Sequence, residues 1–216
     1  DRAGSLPADA LELLKEGAMA SADLDWKTAR IAYQKLAEKH PDNALALSNL
    51  GSVEFRLAMQ SDVSPQASAD HLNKAQQLLE RATRISPTIA HNWITLGLIH
   101  YQRDESLLAI SALSRAVHED RGDPRGHNAL GVVIRDLGWV NGAETELLRA
   151  ITLDPTYADA HFNLAVMYLD RTPPSTELAR RHYYAALDFG ARPDKTIEQK
   201  LNPEAKEPTE SAENAD

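Results

Sequence analysis

Cysteine is absent from all 216 residues, which removes disulfides, thiolate metal sites and a cysteine nucleophile. No stretch approaches the ~18–20 uninterrupted apolar residues that a membrane-spanning helix needs, so direct membrane insertion is not expected. Positive charge is also scarce. Lys and Arg number 23 against 32 Asp and Glu, a formal charge of −9, and nucleic-acid binding usually requires a basic face. Part of that imbalance sits in Asp194–Asp216, where seven acids and three lysines give a net −4. No strand-borne nucleophile, glycine-rich phosphate loop or catalytic carboxylate pair stands out, so neither catalysis nor a cofactor is expected. The chain opens on Asp1 rather than Met, which inclines the expected compartment towards the periplasm or cell envelope over the cytoplasm.

What is present is a period. Gly17, Gly51, Gly97, Gly131 and Ala165 follow one another at spacings of 34, 46, 34 and 34. Two alanine series are locked to them: Ala29, Ala75, Ala109, Ala143 and Ala179, then Ala82, Ala116, Ala150 and Ala186. Glycine costs about 1 kcal/mol relative to alanine inside a helix. Yet Gly51, Gly97 and Gly131 lie in helical apolar patterns, so close approach of a second helix must offset that cost, with the alanines forming the other side of the contact. Pro41, Pro87, Pro124 and Pro155 fall between successive units, where a helix must stop. Pro7 suits the first turn of the opening helix, with Ser5 as its cap.

The spacing predicts five helix–turn–helix units over about 8–43, 44–89, 90–123, 124–157 and 158–193, all within an array spanning 1–193. The chain resembles a bacterial-type tetratricopeptide repeat (TPR) array, whose unit is ~34 residues long. Trp93, Leu96, Gly97, Ala109 and Ala116 carry the likeness in the third unit. Leu130, Gly131, Gly138, Ala143, Ala150 and Pro155 carry it in the fourth, and Leu164, Ala165, Tyr168, Ala179, Tyr183 and Ala186 in the fifth. The first unit keeps Gly17, Ala29, Tyr33 and Pro41 but places Leu36 where alanine is usual. Arg121 replaces the usual terminal proline of the third unit. The second unit has 12 extra residues between Gly51 and Ala75, expected to lengthen both its helices by about a turn and a half around Ser61–Pro65. Residues 194–201 read as a short capping helix with Ile197 and Leu201 inward, and 202–216 as a disordered acidic tail.

The resemblance implies an all-α fold, a right-handed superhelical α-solenoid whose first helices line an inner groove. It implies a non-enzymatic protein–protein interaction scaffold or adaptor that takes a peptide or protein segment there. If Leu-Gly faces the partner helix, residues two and three before the glycine, and one and four after it, share another face. This selects Ser48, Asn49, Ser52 and Phe55, then Ile94, Thr95, Leu98 and Tyr101. Further along it selects Asn128, Ala129, Val132 and Arg135, then Phe162, Asn163, Val166 and Leu169. The lining is mixed amide, hydroxyl, aliphatic and aromatic, with little charge. Asn49 and Asn163 either bond a bound backbone or serve neighbouring helices and water.

Trp139 follows Gly138 in an inter-helix turn and is either an exposed anchor or packed on an adjacent loop. Trp26 and Trp93 occupy core positions. Arg121-Gly122-Asp123 spells an adhesion tripeptide, but in a turn that wants glycine and aspartate anyway. The eight histidines show no i, i+4 pair, and His91, His127 and His161 near helix starts make no evident metal set. The alternative to a groove-binding adaptor is a self-assembling or spacer segment of a larger cell-envelope protein, which leaves a homo-oligomer open.

Overall fold

In the computed structural model, residues 7–202 are described. They form helices α1 (Ala8–Ala22), α2 (Trp26–Lys39), α3 (Ala44–Ala58), α4 (Pro65–Ile85), α5 (Ala90–Gln102), α6 (Ser106–Glu119), α7 (Pro124–Asp136), α8 (Val140–Leu153), α9 (Ala158–Leu169), α10 (Thr176–Asp188) and α11 (Lys195–Leu201). No strand occurs among the described residues, and none of their helices is long and apolar enough to cross a membrane. Two compact units meet between Ala129 and Leu130, within α7. In the first, α1 packs on α2, α3 on α4 and α5 on α6, while α2 and α4 also pack on the helices that follow them. In the second, α9 packs on both α8 and α10, and α11 covers α10.

The glycine seam explains the pairing. A Cβ on Gly51 would lie 2.8 Å from Leu79 Cγ and 3.4 Å from the Ala75 carbonyl. On Gly97 it would lie 2.5 Å from Leu113 Cγ and 3.3 Å from the Ala109 carbonyl, and on Gly131 2.9 Å from Leu147 Cγ and 3.3 Å from the Ala143 carbonyl. The alanine series does form the other side, through its carbonyls, but the atoms that fill the space belong to leucines one turn further on. Leu79, Leu113 and Leu147 are wholly buried. In the first pair the ring of Tyr33 takes this place against Gly17. Overpacking such a contact costs ~1–3 kcal/mol, more than the helix penalty of glycine, so glycine wins. Leu36 fills the alanine position of the first pair and is fully buried.

The 12 extra residues distribute unevenly. With α5 and α6 as reference, α3 gains two residues (15 against 13), α4 gains seven (21 against 14) and the turn takes the remainder. The expected equal lengthening is thus corrected: α4 takes two turns and α3 about half of one. Ser64 caps α4 by accepting from the Ala67 amide at 3.2 Å, and Pro65 opens the helix at once. On the α3 side, the Ser68 hydroxyl donates to the Ala58 carbonyl at 2.9 Å, satisfying a terminal acceptor. His71 Nδ1 lies 2.5 Å from Glu54 Oε2 and fixes the added turns to α3.

At the start, α1 begins at Ala8, so Pro7 sits one place earlier than expected, and its carbonyl accepts from Ala10 and Leu11. Ser5 and the acidic segment 203–216 lie outside the described residues. At the other end Asp194 caps α11 through the Thr196 and Ile197 amides, and Ile197 and Leu201 are buried. The Tyr183 hydroxyl accepts from the Asp194 amide at 2.8 Å and donates to Glu198 Oε1 at 3.1 Å, tying α10 to this cap.

Candidate binding surface

On α5, helical spacing lays His91, Ile94–Thr95, Leu98 and Tyr101 along one stripe. That stripe adjoins the Ser48–Ser52 stripe of α3. The Ser52 hydroxyl donates to the Ser48 carbonyl at 2.9 Å, and His91 Nε2 stands 3.0 Å from the Ser52 hydroxyl oxygen. Because the hydroxyl proton is already used, His91 donates from Nε2, and its Nδ1 is left buried without a partner. Ser48 also bonds the fully buried Asn92. Consecutive first helices of this unit are therefore stitched side by side.

Beside the stitch lies charge that spacing did not select. Asp123 accepts from the Arg125 amide at 2.9 Å and from its guanidinium at 2.7–3.1 Å. Burial alone would raise the Asp123 carboxyl, but the Arg125 bonds and charge hold it below its usual value. Burial, then Arg125, then Arg56 push the His91 imidazole down, against an upward pull from Asp123. A second proton would land on a buried nitrogen near two guanidiniums, so His91 is neutral at neutral pH. The missed signal was a spacing: His91 and Arg125 are 34 residues apart. The same ion pair closes the adhesion reading of Arg121-Gly122-Asp123, since Asp123 is only 9% exposed and held by Arg125.

The structure divides the selected residues. Asn49, Ser52, Leu98 and Tyr101 are partly exposed. Phe55, Ile94, Thr95 and Asn128 are buried and do not present a side chain to a ligand. Phe55 packs with Leu72, Leu79, Leu96 and Ile99, Ile94 lies beneath Gly126 of α7, and the Thr95 hydroxyl donates to the His91 carbonyl at 3.0 Å. The next first helix along packs against Phe55 and Ile94. In the second unit Val132, Arg135, Phe162, Asn163 and Val166 are all partly exposed. Arg135 pairs with Asp136 at 2.8 Å, and the Phe162 ring leans on Tyr183 with centroids 6.4 Å apart. Trp139 is 58% exposed beside Gly138, whose positive φ of 83° makes the turn. Trp26 and Trp93 are half-buried against the core.

Two of the histidines have a structural task. Trp93 Nε1 donates to the Pro87 carbonyl at 2.7 Å. His127 Nε2 meets the Arg121 carbonyl at 3.4 Å and His161 Nε2 the Pro155 carbonyl at 3.1 Å, each six residues back. The ring positions, and the carbonyl positions, are 34 apart: one turn-closing bond made three times. With Nε2 donating, His161 Nδ1 accepts from His182 Nδ1 at 3.0 Å. Burial first, then His161 and Arg181, push His182 down to about 4. Among the described residues no three His, Asp or Glu side chains assemble a metal-ligand set.

Residues 146–187 match the family model of the tetratricopeptide repeat. Similar solved structures agree over nearly the whole chain. PilF of Pseudomonas aeruginosa has a TM-score of 0.72 at 16% identity, covering 90% of this chain and 83% of its own. TTC0263, a tetratricopeptide protein of Thermus thermophilus, has 0.69 at 18%, covering 90% and 97%. The array shares the fold of these tetratricopeptide-repeat proteins, and residues 146–187 match the repeat itself. YrrB, described as a tetratricopeptide protein with an unusual peptide-binding site, is also similar, with a TM-score of 0.58 at 21% identity over 90% and 91% of the two chains. No curated protein matches the sequence significantly. A tetratricopeptide-repeat fold supports protein–protein interaction, and here it stitches first helices into a continuous polar and apolar face within the first unit.

Proposed function

We propose that this chain is a non-enzymatic scaffold that captures a protein segment on the first-helix face of its tetratricopeptide repeats. The observation that carries this reading is the Ser52–His91 bond, which sets the partly exposed Asn49 and Ser52 beside the Leu98–Tyr101 stripe. Apolar contact at Leu98 and Tyr101 supplies affinity, and the Asn49 amide fixes the register of a bound backbone. Arg56 places positive charge at one side of the face. In the second unit Phe162, Asn163 and Val166 offer a similar set.

The test uses the full chain as bait in its native lysate, with captured proteins read by mass spectrometry. Asn49→Ala with Tyr101→Ala should lower capture of the specific partner roughly tenfold, as hot-spot truncations do, with the helical circular dichroism unchanged. Undiminished capture by the folded double variant rules out this face. A second reading, self-association, is favoured by the exposure of Trp139 with Leu137 and Val140 beside it, 58%, 40% and 38% exposed. Light scattering across concentration separates the two, because a strict monomer excludes self-association.

A further inference from the structure

A concave surface lies away from the stripe that carries Ser52, Leu98 and Tyr101. Between the last turns of α4, the α5 helix and α6 is a cleft of about 670 Å³, within the usual range of ligand pockets. Its floor is apolar, made by Trp93, Leu96 and Ala112, and Leu108 forms one wall. The Trp93 indole is held by its bond to the Pro87 carbonyl, so the floor is rigid.

Leu107 and Leu108 are 78% and 53% exposed on α6. The period puts Asn73 and Lys74 at these places on α4, and Asn141 and Gly142 on α8. Two exposed leucines where neighbouring repeats carry polar or small residues are a local departure that packing within the array does not require. The rim carries two guanidiniums, Arg84 and Arg115, on an otherwise acidic chain. Arg84 has no ion-pair partner among the described residues. Arg115 pairs with Glu119 at 2.6 Å yet keeps 47% of its side chain exposed. The one carboxylate lining the cleft, Glu80, accepts from Gln76 Nε2 at 2.8 Å.

We propose that this cleft is a second docking site, for an acidic amphipathic segment of a partner protein. One large apolar side chain of that segment rests on Trp93 between Leu96 and Leu108, and its flanking carboxylates meet Arg84 and Arg115. Charge complementarity selects this occupant: guanidiniums at the rim favour carboxylates, and the leucine wall and tryptophan floor require an apolar anchor. The segment 203–216 of this chain is acidic but offers no large apolar side chain, so it fits the rim and not the floor.

The experiment selects a displayed library of random dodecapeptides on the full chain, with counter-selection on the Leu108→Asp variant. Recovered sequences should carry Asp or Glu around a Leu, Phe or Trp. The synthetic consensus peptide, followed by fluorescence anisotropy, should bind at least roughly tenfold more weakly to Leu108→Asp and to Arg84→Glu with Arg115→Glu. It should bind unchanged to Asn49→Ala with Tyr101→Ala, which separates this site from the first-helix face. Recovery of no acidic consensus, or a consensus peptide indifferent to the cleft variants, overturns the proposal. Tighter peptide binding after removal of 203–216 overturns it in favour of that segment. Concentration-dependent self-association abolished by Leu108→Asp overturns it in favour of a second copy.

Discussion

The third helix pair, α5–α6, and the fifth, α9–α10, solve the same two problems with different residues. In α5–α6 an indole closes the incoming turn, and Gly97 lets Leu113 approach the backbone. In α9–α10 an imidazole closes the turn, and Ala165 stands where glycine stood. A methyl group is tolerated there because Tyr183 leans on Phe162 and sends its hydroxyl to Asp194 and Glu198. Untethered to such a cap, Tyr33 instead lies across Gly17. The comparison teaches that the period repeats a geometry, a ring N–H at one position and a close contact at another, and leaves the chemistry free. One consequence is that His182, packed on the turn-closing ring of the fifth pair, links protonation to stability.

The largest expected effect breaks the close contact. Gly97→Val should destabilise the chain by about 3 kcal/mol, and adding Leu113→Ala should recover part of that loss, as read by thermal or urea unfolding. Ala165→Gly should cost only about 1 kcal/mol, from helix propensity. Equal losses at the two sites would end the distinction. Next come the turn-closing rings. His161→Phe should cost more than Trp93→Phe, about 1–3 against about 0.5–1.5 kcal/mol, because it strands both the Pro155 carbonyl and the His182 Nδ1–H.

The imidazole pair also sets a pH dependence. His182 titrates at about 4 when folded against an ordinary 6.5, so between these values the unfolded chain binds more protons. Stability should be complete above about pH 6.5 and fall as pH drops towards about 4, measured by exchange protection of α10. His182→Gln should flatten that slope. A slope of opposite sign would contradict the depressed His182. The smallest effect is a gain. Arg121→Pro places proline where Pro87 and Pro155 stand in neighbouring turns and should stabilise by about 0.5–1 kcal/mol, seen as a higher Tm.

The repeat was legible because small residues at a fixed interval have one packing explanation. The bulky partners Leu79, Leu113 and Leu147 escaped notice, and Tyr33 and Tyr183 stood only as marks of the repeat, because the identity at this position changes while the position does not. Spacing also placed Asn49, Ser52, Leu98 and Tyr101 at positions that remain accessible. It could not tell how nearly the next first helix approaches, and that approach helps to bury Phe55 and Ile94. Arg56 and Arg125 went unselected because their influence on His91 crosses from one helix pair to the next.

The long second hairpin carries a final consequence. Near-identical rungs invite misregistration, in which a helix docks on the wrong neighbour during folding. Were α4 to take the place of α6, Glu54 and the Ala58 carbonyl would lose His71 and Ser68, and two turns of helix would hang without support. A single unequal rung thus works as an index mark, giving an otherwise interchangeable ladder one correct order of assembly.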